Sequence, residues 1–490
     1  GDIVDMEPVA PTGEEYRFDW TSPMAASRHD RNTVYLAGNR LFTSRDRGES
    51  WTRSQELSRN IDRDTLSLMG VQGSRLTISP NDGTSSFGEA TTLSESPLDP
   101  QVLWVGFDDG NLQVTQDGGD SWSEVSGNVP GIASGTYVSR ITASARGPGV
   151  AYATFDAHRD GDFAAYVYQT QDFGASWTPL HQGLPSGSAN VIVEHPDNPD
   201  LLFLGTEHAA WASTDAGTTW ARMPHLPTTA YDDMVVHPRE GDLVLGTHGR
   251  GIWILDDTGP LAEWTVGALT TPAHLFSIPP RIQHLYWKDT SYRGDAAFAG
   301  ENPPDGVLIT YRLGQGTGDA TLTIANAEGV VVRTLEVPSE AGTHRVNWDL
   351  RWGLSPDADR WERFEHDRLA RPIDDRGPLA APGLYTVNLD ARGTSSTRTM
   401  EVLPDPKTDL TIEEHWEREA FMVGLLELRR EIEGRLSSAS GGQAADLREL
   451  ERTVSRVFRS MNGGGVRQAT LHPPTQTQRD RISEVRRALR

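Results

Sequence analysis

The chain has 490 residues and no cysteine, so disulfide and thiolate chemistry are excluded and the length predicts more than one hydrophobic core. A formal net charge of −24 argues against a nucleic-acid backbone as the main partner, and no apolar run approaches the ~18–20 residues of a membrane helix. Acidic and basic side chains balance from Asp409 onward, so residues 1–408 carry essentially all of the excess. The opening GDIVDMEPVA holds neither an initiator methionine nor an apolar signal segment, and a processed or partial chain is expected.

Along residues 1–260 one short string recurs. Residues 44–51 read SRDRGESW, 115–122 TQDGGDSW, 170–177 TQDFGASW and 213–220 STDAGTTW. Each string follows a short apolar strand: TVYLAGN from Thr33, VLWVGFDDG from Val102, VAYATFDAH from Val150 and LLFLGTEHA from Leu201. A fifth copy, DLVLGTHGRGIWILDD from Asp242, keeps the strand pair but has lost most of the string. Strands of this length, separated by turn signals such as SPLDPQ, HPDNPD and HPREGD, predict antiparallel four-stranded units. Units of roughly 40–70 residues built this way are propeller blades.

The repeat explains the string. Asp46, Asp117, Asp172 and Asp215 are expected to accept backbone N–H bonds in the turn between the third and fourth strands. The glycines supply the positive φ of the reversal. Trp51, Trp122, Trp177 and Trp220 then open the next strand and wedge between neighbouring blades. This is an architectural reading and not a catalytic one.

The pattern S/T-x-D-x-G-x-x-W resembles the Asp-box of BNR-repeat proteins, a group that includes sialidases, sortilin-type propellers and xyloglucan-cleaving hydrolases. Residues 18–257 are similar to the large bacterial BNR/sortilin-like propeller proteins. In those proteins, the resemblance implies, further blades precede the point where this chain starts. Five blades here are then the closing half of a larger propeller, although a self-contained ring of five also fits. An open chain would expose a β-edge and an apolar blade face near residues 18–41. The missing N-terminal half or another polypeptide would cover it with an interface above ~1,000 Å².

Residues 261–408 change character. TLTIANAEGVVVRTLEVP, GTHRVNWDLRW and APGLYTVNLDARG alternate with period two and predict a β-sandwich with Trp348 and Tyr385 in its core. AGTHRVNWDLR followed by PGLYTV resembles the immunoglobulin-like domain of the flagellar hook-capping type. Residues 355–379 read as a long charged surface excursion. From residue 409 the period is helical: Phe421, Leu425, Leu428, Ile432 and Leu436 form one stripe. Leu447, Leu450, Val454, Val457 and Met461 form a second after the linker SSASGGQ, and Ile482, Val485 and Leu489 a third. The fold class is therefore mainly β, with blades, then a sandwich, then a C-terminal helical hairpin.

Chemistry is expected on the blade face opposite the repeated turns. Loops between second and third strands bring Asp108, Asp109, His158, Arg159, Asp160, Asp162, Glu207, His208, His248 and Arg250 there. Inter-blade segments add Tyr137, Arg140, Tyr231, Asp232 and Asp233. A binding face is predicted from His158, Asp160, His208, His248, Arg250, Tyr137, Arg140 and Tyr231, with a glycan, a peptide or another polypeptide as ligand. The alternative is a glycoside hydrolase using a carboxylate pair from Asp108, Asp109, Glu207, Asp232 and Asp233, ~5–9 Å apart. Arg140, Arg250, Tyr231, Glu207 and Asp108 offer the residue types of a sialidase, but the arginine-bearing F/Y-R-I-P signature is missing. The histidines sit at equivalent loop positions of different blades, so the repeat explains them without a metal. Asp156, Asp160 and Asp162 lack the ligand pattern of a calcium loop. No cofactor and no metal are expected. A secreted, periplasmic or cell-surface location is.

Overall fold

The structure is a computed structural model and describes residues 6–68, 71–72, 87–284, 306–316, 318–353, 377–391, 393–463 and 469–490. Most of the expected excursion at 355–379 lies outside the described residues. The chain divides into two compact units, Gly1–Ala262 and Glu263–Arg490.

The first unit is a succession of antiparallel meanders in which strand order follows chain order. Blade one comprises Met24–Ala26, Val34–Ala37, Leu41–Ser44 and Thr52–Arg53. Blade two comprises Ala90–Glu95, Leu103–Phe107, Leu112–Thr115 and Ser123–Glu124. Blade three comprises Tyr137–Ala143, Ala151–Asp156, Tyr166–Thr170 and Thr178–Pro179, and blade four Ala189–Glu194, Leu202–Thr206, Ala210–Ser213 and Ala221–Arg222. Blade five has three strands, Tyr231–Val236, Leu243–Thr247 and Ile252–Leu255. These are β-propeller blades. The first strands of blades two to five share a bulge that sequence periodicity alone does not reveal. The register slips between Ala90 and Thr92, Val138 and Arg140, Ala189 and Val191, and Tyr231 and Asp233. A bulge at the same place in these four copies adds twist at the same place.

The core lies between the blades. Leu41, Tyr35 and Leu57 meet Leu103, Val105 and Phe107 at the first junction. Trp104, Leu112 and Val114 meet Val138, Ile141 and Phe155 at the second. Tyr152 and Val167 meet Ile192, Leu202 and Leu204 at the third, and Phe203 and Ala210 meet Met234, Leu243 and Leu245 at the fourth. Each fully buried side chain of this size contributes about 1.5–3 kcal/mol. First strands of consecutive blades pack on one another, and hydroxyls bridge them. Thr92 Oγ1 accepts from Ile141 N at 3.1 Å, Ser94 Oγ accepts from Ala143 N at 3.0 Å, and Thr142 Oγ1 donates to Ile192 O at 2.7 Å. Two carboxylates clasp a preceding blade: Glu95 accepts from Ser27 Oγ and Arg28 N, and Glu194 from Ser144 Oγ and Ala145 N.

The first unit closes with the short helix α1 (Gly259–Ala262), and the second begins with α2 (Val266–Thr270), leading into a two-sheet β-sandwich. One sheet orders Ala273–Leu275, Val307–Leu313 and Gly342–Trp348. The other orders Arg281–Ile282, Thr394–Leu403, Gly383–Ala391, Ala320–Asn326 and Val331–Val337. Inward residues of both sheets form one core around Trp348 and Tyr385, whose rings lie 5.2 Å apart. Helices α3 (Ile412–Leu436), α4 (Gly441–Asn462) and α5 (Gln476–Ala488) follow. Capping boxes Thr411/Glu414 and Thr475/Gln478 start α3 and α5. Their stripes pack on each other in a single cluster. The hairpin also grips the sandwich, because Glu419 Oε1 accepts from Trp352 Nε1 at 2.7 Å and from Ala381 N at 2.8 Å.

Candidate functional site

The four repeated turns have one geometry. Asp117 Oδ1 accepts from Ser121 N at 2.9 Å and from Thr115 Oγ1 at 2.7 Å, while Ser121 Oγ donates to Oδ2. Asp46, Asp172 and Asp215 accept from Ser50 N, Ser176 N and Thr219 N at 2.8–2.9 Å. The hydroxyl that opens each string turns to accept the glycine amide, as Thr115 Oγ1 does from Gly119 N at 3.0 Å. That glycine has φ +102°, a conformation side-chain-bearing residues resist. Hydrogen bonds from Ser121 hold the Asp117 carboxyl down at about 2. Trp122 joins the cluster at the first blade junction, Trp177 meets Trp104 edge-on at 6.2 Å at the second, and Trp220 joins the third. Trp51, in blade one, donates to Met6 O at 2.8 Å.

The other end of the strands carries the hairpins between second and third strands. Asp108 and Asp109 occupy the hairpin of blade two, and both are buried. Asp108 Oδ1 accepts from Gly88 N at 3.0 Å and Glu89 N at 2.8 Å. Burial pushes its carboxyl up to about 7 against those two bonds, and the neighbouring Asp109 and Glu89 charges add to the rise. Asp109 turns away: Oδ2 accepts from Arg59 N at 2.7 Å and Oδ1 from Asn111 N at 3.0 Å. Burial raises it too. The two adjacent carboxylates therefore hold different segments and do not converge on a common point.

Among the remaining residues, Tyr137 stands at the start of the first strand of blade three, with the Arg159 guanidinium 5.5 Å above its ring. Burial, with the Asp19 charge next, pushes the Tyr137 hydroxyl up to about 12. Arg140 reaches from blade three to blade five, Nη2 to Asp233 Oδ1 at 2.7 Å. Each histidine stays with a carboxylate of its own blade: His158 with Asp156 at 2.6 Å, His208 with Glu207 at 3.8 Å and His248 with Asp232 at 3.3 Å. Asp160 and Arg250 are exposed, and Asp162 accepts from Tyr166 Oη at 2.7 Å. Tyr231, expected on the binding face, is instead fully buried, with its hydroxyl donated to Pro227 O at 2.8 Å. Its ring fills the junction with blade four. Among the described residues no group of three or more His, Cys, Asp or Glu could hold a metal ion.

Sequence reasoning passed over Arg59, Glu89 and Asp19. They lie in the connections outside the repeat, where no periodic signal marks them. Asp108 and Asp109 give Arg59 and Glu89 their place, and Asp19 acts as a charge on Tyr137.

No family model matches the chain. Over 69 residues it is 39% identical to vacuolar protein sorting/targeting protein 10 of Mycosarcoma maydis, which is 14% of this chain and 4% of that protein. Among solved structures it is similar to the GH74 xyloglucanase from Xanthomonas campestris, at 18% identity and TM-score 0.35, covering 48% of this chain and 37% of that one. It is also similar to the GH74 enzyme of Niastella koreensis, at 13% identity and TM-score 0.32, covering 78% and 67%. YCF48 bound to D1 peptide matches at 16% identity and TM-score 0.22, covering 49% of this chain and 95% of that one. Among the described residues no helix is long and apolar enough to cross a membrane.

Proposed function

We propose that the chain is an exported, non-catalytic binding protein. Its ligand is an extended, basic polypeptide held on the face formed by the second-to-third-strand hairpins. One observation carries this reading: Asp108 and Asp109 are committed to backbone N–H groups of their own and neighbouring loops, whereas Asp160, Asp232 and Asp233 stay at the surface. A face built so offers acceptors and negative charge to a ligand, without a converging carboxylate pair. Net charge favours the same sign of partner. The short match to a protein sorting/targeting protein fits a polypeptide ligand. We read the repeated turns as Asp-boxes, the sandwich as an immunoglobulin-like module, and the ligand residues as His158, Asp160, His208, Arg250 and Asp232.

Titration calorimetry with arginine-rich and glutamate-rich peptides of equal length tests the proposal. The basic peptide should bind, more weakly as salt rises, and an Asp160→Asn/Asp232→Asn protein should lose most of that affinity. Equal binding of both peptides, or of neither, would sink it. A second reading rests on Asp108, whose carboxyl stays protonated up to about pH 7 as a general acid of a glycoside hydrolase must. Release of reducing ends from a β-glucan, abolished by Asp108→Asn, would favour that reading instead.

A further inference from the structure

The repeat register assigns every blade two faces, one turned to the blade before it and one to the blade after. At each pairing of the second and third strands, the residue turned toward the following blade is known from the cross-strand partners. Ala37 pairs with Leu41, Gly106 with Leu112, Thr154 with Val167, Gly205 with Ala210 and Gly246 with Ile252. Along this column Leu41 is 2% exposed, Leu112 and Val167 0% and Ala210 1%, each under the next blade. Ile252 is 73% exposed. Its neighbours on the same face, Ile254 and Val235, are exposed as well. The backbone tells the same story. A Cβ on Gly205 would stand 2.7 Å from Tyr231 O of the following blade, whereas a Cβ on Gly246 would find nothing nearer than Asp233 O at 3.5 Å, within its own blade.

The opposite face of blade one is open in part: Phe42 is covered by the chain's own Tyr16 and Phe18, while Met24 is not covered. Met24 pairs with Leu36, and Leu36 with Phe42. Met24 holds the place that Ile141, Ile192 and Met234 hold in later blades, where each lies under the preceding blade. Met24 is 65% exposed. Tyr16 and Phe18 plate Phe42 at 4.6 and 5.5 Å and continue this apolar surface.

We infer that the fifth-blade face of Val235, Ile252 and Ile254 docks the first-blade face around Met24 and Leu36 of a second copy of this chain, head to tail. Four junctions within the chain already display this pairing of faces, and both halves of a fifth junction are present, with Val235, Ile252 and Ile254 exposed on one half and Met24 on the other. The contact is heterologous: one copy's tail meets another's head, so blocking either face disrupts it. The inference rests on the blade architecture and is independent of the peptide face.

Light scattering on the full chain over a concentration series tests it. The wild type should move from the 53.8 kDa monomer to twice that mass or higher multiples, since each head-to-tail pair leaves one head and one tail to be matched. Ile252→Asp and Met24→Asp should each remain monomeric with circular dichroism and peptide binding unchanged, while Ile252→Val still associates. An equimolar mixture of the two aspartate variants should associate again, since one supplies an intact head and the other an intact tail. A wild type that stays monomeric at every concentration overturns the inference. So does association that survives both aspartates, or a mixture that stays monomeric.

Discussion

Replacing Asp108 by asparagine isolates the cost of a buried carboxylate. The amide oxygen can still accept from Gly88 N and Glu89 N, so the loop keeps its anchors. The charge, however, is gone. In the folded chain Asp108 titrates at about 7 against an ordinary 3.8. Below the lower value both states are protonated and the group contributes nothing to pH dependence. Between the two values the unfolded chain has lost the proton and the folded chain keeps it, so folding weakens by about 1.4 kcal/mol per pH unit. The weakening is complete above about pH 7. From pH 5 to pH 8 the stability gap should therefore widen by about 2–3 kcal/mol in favour of Asp108→Asn. Urea unfolding of both proteins at the two pH values measures it, and carboxyls outside this loop cancel in the difference. A gap that is the same at pH 5 and pH 8 would refute the burial argument.

Three further expectations follow from the same contacts. Gly205→Ala should cost about 1–3 kcal/mol, because its Cβ meets Val191 Cγ1 and Tyr231 O, whereas Gly246→Ala should stay within about 0.5 kcal/mol; thermal unfolding separates the two. Glu419→Ala should cost roughly 2–4 kcal/mol in denaturant unfolding, since Trp352 Nε1 and Ala381 N both lose their acceptor. Asp117→Ala should lower the melting temperature by opening one turn, yet leave peptide binding in calorimetry untouched, because that turn lies at the other end of the strands.

Blades were legible because the repeat writes itself in two registers at once, alternating apolar strands and the S/T-x-D-x-G-x-x-W string. Helical stripes such as Leu425, Leu428 and Ile432 were equally plain, since a 3.6-residue period survives any loop. The functional face was legible only as a set of loop residues. That Asp108 and Asp109 serve different neighbours depends on Arg59 and Glu89, which come from a connection without periodicity. Tyr231 misled because an inter-blade position looks exposed in sequence, while its 0% exposure comes from packing in the junction between blades four and five. The first-strand bulge was invisible for a similar reason: a single-residue slip leaves the composition of the strand unchanged.

The clasps formed by Glu95 and Glu194 alternate along the chain. Glu95 ties blade two back to blade one, and Glu194 ties blade four back to blade three. At the corresponding strand ends of blades three and five stand Ala143 and Val236, side chains with no acceptor to offer. Mechanically, the blades are a string of clasped pairs, with a seam after each pair that lacks a carboxylate clasp. Pulled from its two ends, the unit should yield first at the seams and lengthen by two blades at a time, and a glutamate introduced at position 143 should even out the steps.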